Sequence, residues 1–152
     1  MSKTKPRASS RAVLHALLLA FLPGALACAD ATGPSHGLAG TWDAFSAVVT
    51  NPADPAETAD LVADGWSLRL VIEPTGAVEF AATFAGQTTH ETGTFATDGT
   101  DVTLTLDGDP ATGTYRLRGD TLTLDLLTGV EWDFEGDGLD EPASLRIVFR
   151  RS

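Results

Sequence analysis

Residues 93–106 read GTFATDGTDVTLTL, and residues 113–124 read GTYRLRGDTLTL. Both begin Gly-Thr-aromatic, pass a turn containing Gly and Asp, and finish on Leu alternating with Thr. A period of two marks a strand with one buried and one solvated face. Each copy therefore reads as a β-hairpin. The copies lie 20 residues apart, and Gly40-Thr41-Trp42 repeats their opening once more. Glycine at the head of each copy allows the sharp coiling that a closing sheet requires.

The same alternation extends outward from the repeat. Trp66, Leu68, Leu70 and Ile72 alternate with Ser67, Arg69, Val71 and Glu73, ahead of a Pro74-Thr75-Gly76 turn. Val78, Phe80, Ala82 and Phe84 follow on one face of the next segment, and Leu145, Ile147 and Phe149 share a face near the end of the chain. Strands are predicted at 40–49, 66–73, 77–84, 88–95, 101–107, 113–118, 121–127 and 144–151. Short turns between them make a meander, and a meander of eight strands can close on itself and abolish its edges. The predicted fold is all-β: an eight-stranded antiparallel up-and-down barrel over 38–152. The one long interruption, between the first two strands, carries Asp54-Pro55-Ala56-Glu57 and ends at Gly65. Asp54 suits a cap, Pro55 the first helical position and Glu57 a capping box, which predicts a short helix over 55–64. A plain loop is the alternative, because the apolar side is thin.

The chain has 152 residues, enough for one domain. Its first 27 residues hold four basic groups and no acid, and the rest hold six Arg against 21 Asp and Glu, a net charge of −15. So acidic a domain repels phosphate backbones, which argues against nucleic-acid binding. Ala12 to Leu22 is an apolar run broken only by His15, after a basic start and before small residues. That pattern reads as a secretory signal peptide over 1–27. The run is too short to span a bilayer, and no later segment approaches the ~20 residues needed.

Gly24-Ala25-Leu26-Ala27-Cys28 resembles a bacterial lipobox. The resemblance implies that Cys28, the single cysteine, is acylated and becomes the new N-terminus. Plain secretion is the alternative, since Ala25-x-Ala27 also fits the ordinary signal peptidase. Ala29 after the Cys, by resemblance to enteric sorting rules, points to an outer-membrane lipoprotein facing the periplasm or the cell surface. Residues 28–37 then form the lipidated Cys and a flexible tether.

Gly40-Thr41-Trp42, a middle Gly-Thr-aromatic and a Gly-Asp turn into Leu-Thr-Leu-Thr are similar, in that order, to the lipocalin-like or calycin-type domains of bacterial lipoproteins. The likeness covers about 38–152. It implies an Arg from the last strand packed over the early Trp to close one barrel end. Arg151 shares the parity of Leu145, Ile147 and Phe149 and is the choice for Trp42, with Arg150 the alternative. A guanidinium over an indole face contributes about 0.5–2 kcal/mol.

Two groups of residues are candidates for a site. Trp66, Leu68, Phe80, Phe84, Phe95 and Tyr115 would line the barrel interior, which in an eight-stranded barrel either fills with side chains or holds one small ligand. Residues 131–141 hold six carboxylates, and Asp133, Glu135 and Asp137 alternate ahead of Gly138 like the opening of a calcium loop. Glu141 is the fourth candidate ligand. Flanking helices and the twelfth-position Glu of an EF-hand are both missing, so the competing reading is a solvated acidic loop. No other cofactor is implied. Catalysis lacks a visible nucleophile and base: His90 is the only His within the barrel region, and the adjacent Glu91 points to the opposite face. The leading expectation is non-catalytic binding of a small apolar molecule by an exported, membrane-anchored protein. The alternatives are a protein-interaction module with a packed barrel, its partner unknown, and a calcium-stabilised structural domain.

Overall fold

The computed structural model describes residues 37–152. The stretch predicted as a signal peptide (1–27), Cys28 and all but Gly37 of the predicted tether lie outside the described residues. Nine strands follow one another: β1 (Gly40–Thr50), β2 (Thr58–Asp60), β3 (Ser67–Ile72), β4 (Ala77–Phe84), β5 (Gln87–Asp98), β6 (Asp101–Leu106), β7 (Asp109–Arg118), β8 (Thr121–Trp132) and β9 (Glu141–Arg151). From β3 to β9 each strand pairs antiparallel with the next; β3 also pairs with β1, and β9 returns to β1 and closes the sheet. Eight strands thus form the up-and-down barrel that the alternation predicts. Among the described residues there is no helix.

The predicted helix over 55–64 is replaced by turns and the three residues of β2. Val48, Val49 and Thr50 lie beyond the reach of β3, which pairs only with Gly40–Asp43. β2 pairs with those three residues instead, and its ladder satisfies backbone groups that a helix would have left open. The expected caps are used otherwise. Asp54 accepts the Ala56 amide at 3.1 Å, and Glu57 accepts the Asn51 side-chain amide at 2.7 Å. The last three strands also run longer than the sequence suggests. β7 extends back through Pro110, and β8 continues past a bulge between Leu126 and Val130 that contains Gly129. Pro and Gly read as breakers in the sequence, and here they are absorbed within strands.

The repeat has a steric cause. A Cβ on Gly93 would sit 1.7 Å from the Thr105 carbonyl oxygen, and one on Gly113 would sit 1.8 Å from that of Asp125. In both copies the neighbouring strand coils over the glycine so closely that no side chain fits. Inward residues then build one core: Trp42, Leu70, Ile72, Phe95, Leu122, Leu124, Ile147 and Phe149 are all buried. Ala47, Val49 and Ala143 extend the buried set toward the end of β1 and the start of β9.

Candidate functional site

The two ends of the barrel are built differently. At one end the chain enters through Leu38 and Trp42, both fully buried. The Trp42 indole donates its Nε1–H to the Leu38 carbonyl at 2.8 Å. Trp42 and Arg151 are register partners, and the Arg151 guanidinium carbon lies 4.2 Å from the centre of the Trp42 ring. The same guanidinium donates from Nη1 to the Ala39 carbonyl at 2.8 Å and from Nη2 to the Gly37 carbonyl. One cation thus ties the entering strand, the closing strand and the indole together. Arg150, one residue earlier, faces outward over Phe45 at 5.2 Å. This end is plugged.

The opposite end is open. There, between β4 and β9, lies a cavity of about 360 Å³. Its walls include Phe80, Leu104, Leu106, Leu126, Leu145 and Ile147, all from inward positions of their strands. Small-molecule sites start near ~300 Å³. A larger groove of about 490 Å³ runs past Gly99, Thr100, Arg116 and Asp125, but Arg116 is exposed there and the groove lies on the outer wall.

Of the six aromatic and aliphatic candidates, Phe80 lines this cavity. Leu68 and Phe95 are buried in the core, and Tyr115 meets Phe95 edge to face at 6.4 Å, towards the plugged end. Trp66 stacks on Phe84 at 4.7 Å beside the open mouth, where Phe84 is 44% exposed. A polar member of the wall went unnoticed in the sequence. Glu91 lines the cavity opposite its register partner Phe80, partly buried. The signal was present: Glu91 shares the parity of Gly93 and Phe95, which face inward. Asp107, Asp109 and Glu131 stand around the same mouth.

In the acidic loop, oxygens of Asp133, Asp137 and Glu141 come within 4.8 Å of one another, and Glu135 is not in that group. These carboxylates already serve the backbone. Asp133 accepts the amides of Gly136, Asp137 and Gly138, at 2.6, 3.1 and 2.8 Å. Asp137 accepts from Leu139 and Glu141 from Phe134. The loop is an acid-stapled turn whose remaining oxygen lone pairs could face an ion. His90 lies on the outer wall, with Nδ1 3.0 Å from Glu79 Oε1.

Fold and ends together define a closed antiparallel barrel of eight strands, consistent with a calycin-like fold, plugged at one end and recessed at the other. Comparison with known proteins adds no family: no family model matches the chain, and no curated protein matches it.

Proposed function

We propose that the chain is an exported lipoprotein, held to the outer membrane through Cys28, whose lipocalin-like barrel binds a small apolar molecule without catalysis. The observation that carries this reading is the asymmetry of the barrel. A core packed throughout would have been enough for stability, yet one end is sealed by Trp42 and Arg151 while the other keeps a recess of about 360 Å³ walled by Phe80 and Leu side chains. Apolar walls lose contacts and gain water when left empty, so an open apolar recess costs stability that a ligand can return. The stacked Trp66–Phe84 pair beside the mouth offers a flat apolar surface to an entering molecule.

Native mass spectrometry of the full chain, purified as a bacterial host delivers it, tests the reading. An apolar adduct that survives gentle ionisation supports it. A bare mass, together with no change in Trp fluorescence on adding small apolar probes, refutes it and favours the packed interaction module. A second reading, a calcium-stabilised domain, draws on the convergence of Asp133, Asp137 and Glu141. A melting temperature that rises with millimolar calcium supports it, and one indifferent to calcium and chelator refutes it.

A further inference from the structure

The charge around the open mouth bears on what the cavity takes. The strand ends and connections at that end are residues 51–66, 85–91, 107–109 and 129–141. They hold four, one, two and six acidic residues respectively, and no Lys or Arg. The basic groups are placed elsewhere. Arg69 pairs with Asp43, Arg146 with Asp125, and Arg151 serves the plugged end. Arg116 and Arg118 lie on the last stretch of β7, which also runs to the plugged end. No cation lines the cavity.

Within the cavity itself, Glu91 stands among Phe80, Leu104 and Leu106. Among the described residues its carboxylate has no hydrogen-bond or ion-pair partner, and the same holds for the carboxylates of Asp109 and Glu131 at the rim. Asp107 differs, since it accepts the Thr92 amide at 3.1 Å. A carboxylate held against apolar walls is costly unless it meets a cation or a donor. The surrounding negative potential, focused by the low-dielectric wall, concentrates cations at the mouth and repels anions. Apolar depth with an unpaired carboxylate is complementary to one chemical class.

The geometry points to an amphipathic cation as the ligand: a small molecule with an apolar body that enters the recess and an ammonium or similar group that Glu91 receives, with Asp109 and Glu131 at the rim. This rests on the reading that the recess binds an apolar molecule, and narrows it. A fatty acid or other anionic lipid is disfavoured by the same charges.

Three probes with one apolar body separate the possibilities: octylamine, octan-1-ol and octanoate. The protein is the full chain carrying Cys28→Ser, which removes the acylation site, since acyl chains would absorb the probes, and leaves the barrel unaltered. Binding is read by titration calorimetry at pH 7. Octylamine should bind at least about tenfold more tightly than octan-1-ol, a difference of ~1.4 kcal/mol, and octanoate should give no heat. Glu91→Gln should bring octylamine to the level of octan-1-ol. Glu131→Gln, at an exposed rim position that the core does not use, should weaken octylamine by about threefold, and it decides the matter if Glu91→Gln does not fold. Equal affinity for octylamine and octan-1-ol overturns the cation preference and leaves the apolar recess standing. Silence with all three probes overturns both. A cation preference that survives both substitutions overturns the assignment to these carboxylates.

Discussion

Trp42→Ala should be among the most costly substitutions in the barrel. Its side chain is fully buried at the plugged end, and three contributions are lost together. Removing a buried aromatic side chain and leaving its cavity costs about 3–5 kcal/mol. The Nε1–H bond to Leu38 goes with it, leaving a buried carbonyl without its donor, a loss of about 1 kcal/mol on its own. The Arg151 guanidinium, 4.2 Å above the ring, loses its aromatic face, worth about 0.5–2 kcal/mol. These overlap, so the whole is placed at the upper end of about 3–5 kcal/mol. A domain of this size melts lower by roughly 4 °C for each kcal/mol, so the midpoint should fall by about 16–20 °C. Urea titration followed by far-UV circular dichroism measures the change without relying on the deleted fluorophore, and the slope m should be unaltered. Trp42→Phe keeps most of the ring and removes the donor, so it should cost about 1–2 kcal/mol. A loss under ~1 kcal/mol for Trp42→Ala would refute the plug. Equal losses for Ala and Phe would show that the hydrogen bond, and not the buried ring, carries the stability.

Gly93→Ala should destabilise by about 2–3 kcal/mol or more, because the new Cβ meets the Thr105 backbone oxygen, which cannot rotate away; Gly113→Ala should behave alike, and a loss under ~0.5 kcal/mol at either would show that the strands have room. The carboxyl of Asp43 is held below its ordinary value of 3.8, first by its hydrogen bond from Arg69 and then by that from Ser152. A folded-state value lower than the unfolded one stabilises the fold above the ordinary carboxylate range, and that stability is lost as pH falls through the folded value. The pair is about half exposed, so the contribution should be small and shrink with salt. Carboxyl NMR titration should show the Asp43 midpoint rising in Arg69→Gln; an unchanged midpoint would sink the assignment. Cys28→Ser should release the protein from membranes, and unchanged membrane pelleting would refute lipidation.

The parts of the fold that were legible in the sequence share a physical origin. Period-two alternation and the Gly-Thr-aromatic repeat are local, so Leu104, Leu122 and Leu124 could be assigned to the inner face from their neighbours alone. The repeat also marked Gly93 and Gly113 as special, although the carbonyl oxygens that exclude a side chain belong to strands 12 residues further on. Errors arose where pairing across space outweighs local preference. Asp54-Pro55-Ala56-Glu57 is a good helix start, yet the open edge of β1 recruits Thr58–Asp60 as a strand. The strands predicted over 113–118 and 121–127 run on through Pro110 and Gly129, because pairing with their neighbours continues past both residues. Glu91 was assigned only to the face opposite His90, because inward parity in an apolar barrel does not by itself reveal an empty space beside it.

The sequence by itself determined the strand alternation, the acidity of the domain, the inward parity of Trp42 and Arg151, and the glycines at the tightest coils. Each of these depends on residue type and on spacing of a few residues. Only the tertiary structure decided which end of the barrel is sealed, that the other end keeps a recess of about 360 Å³, and that unpaired carboxylates gather there. Those properties depend on how eight strands stagger as they close. The stagger sums small coils and bulges along the whole meander, and no single stretch of sequence contains that sum.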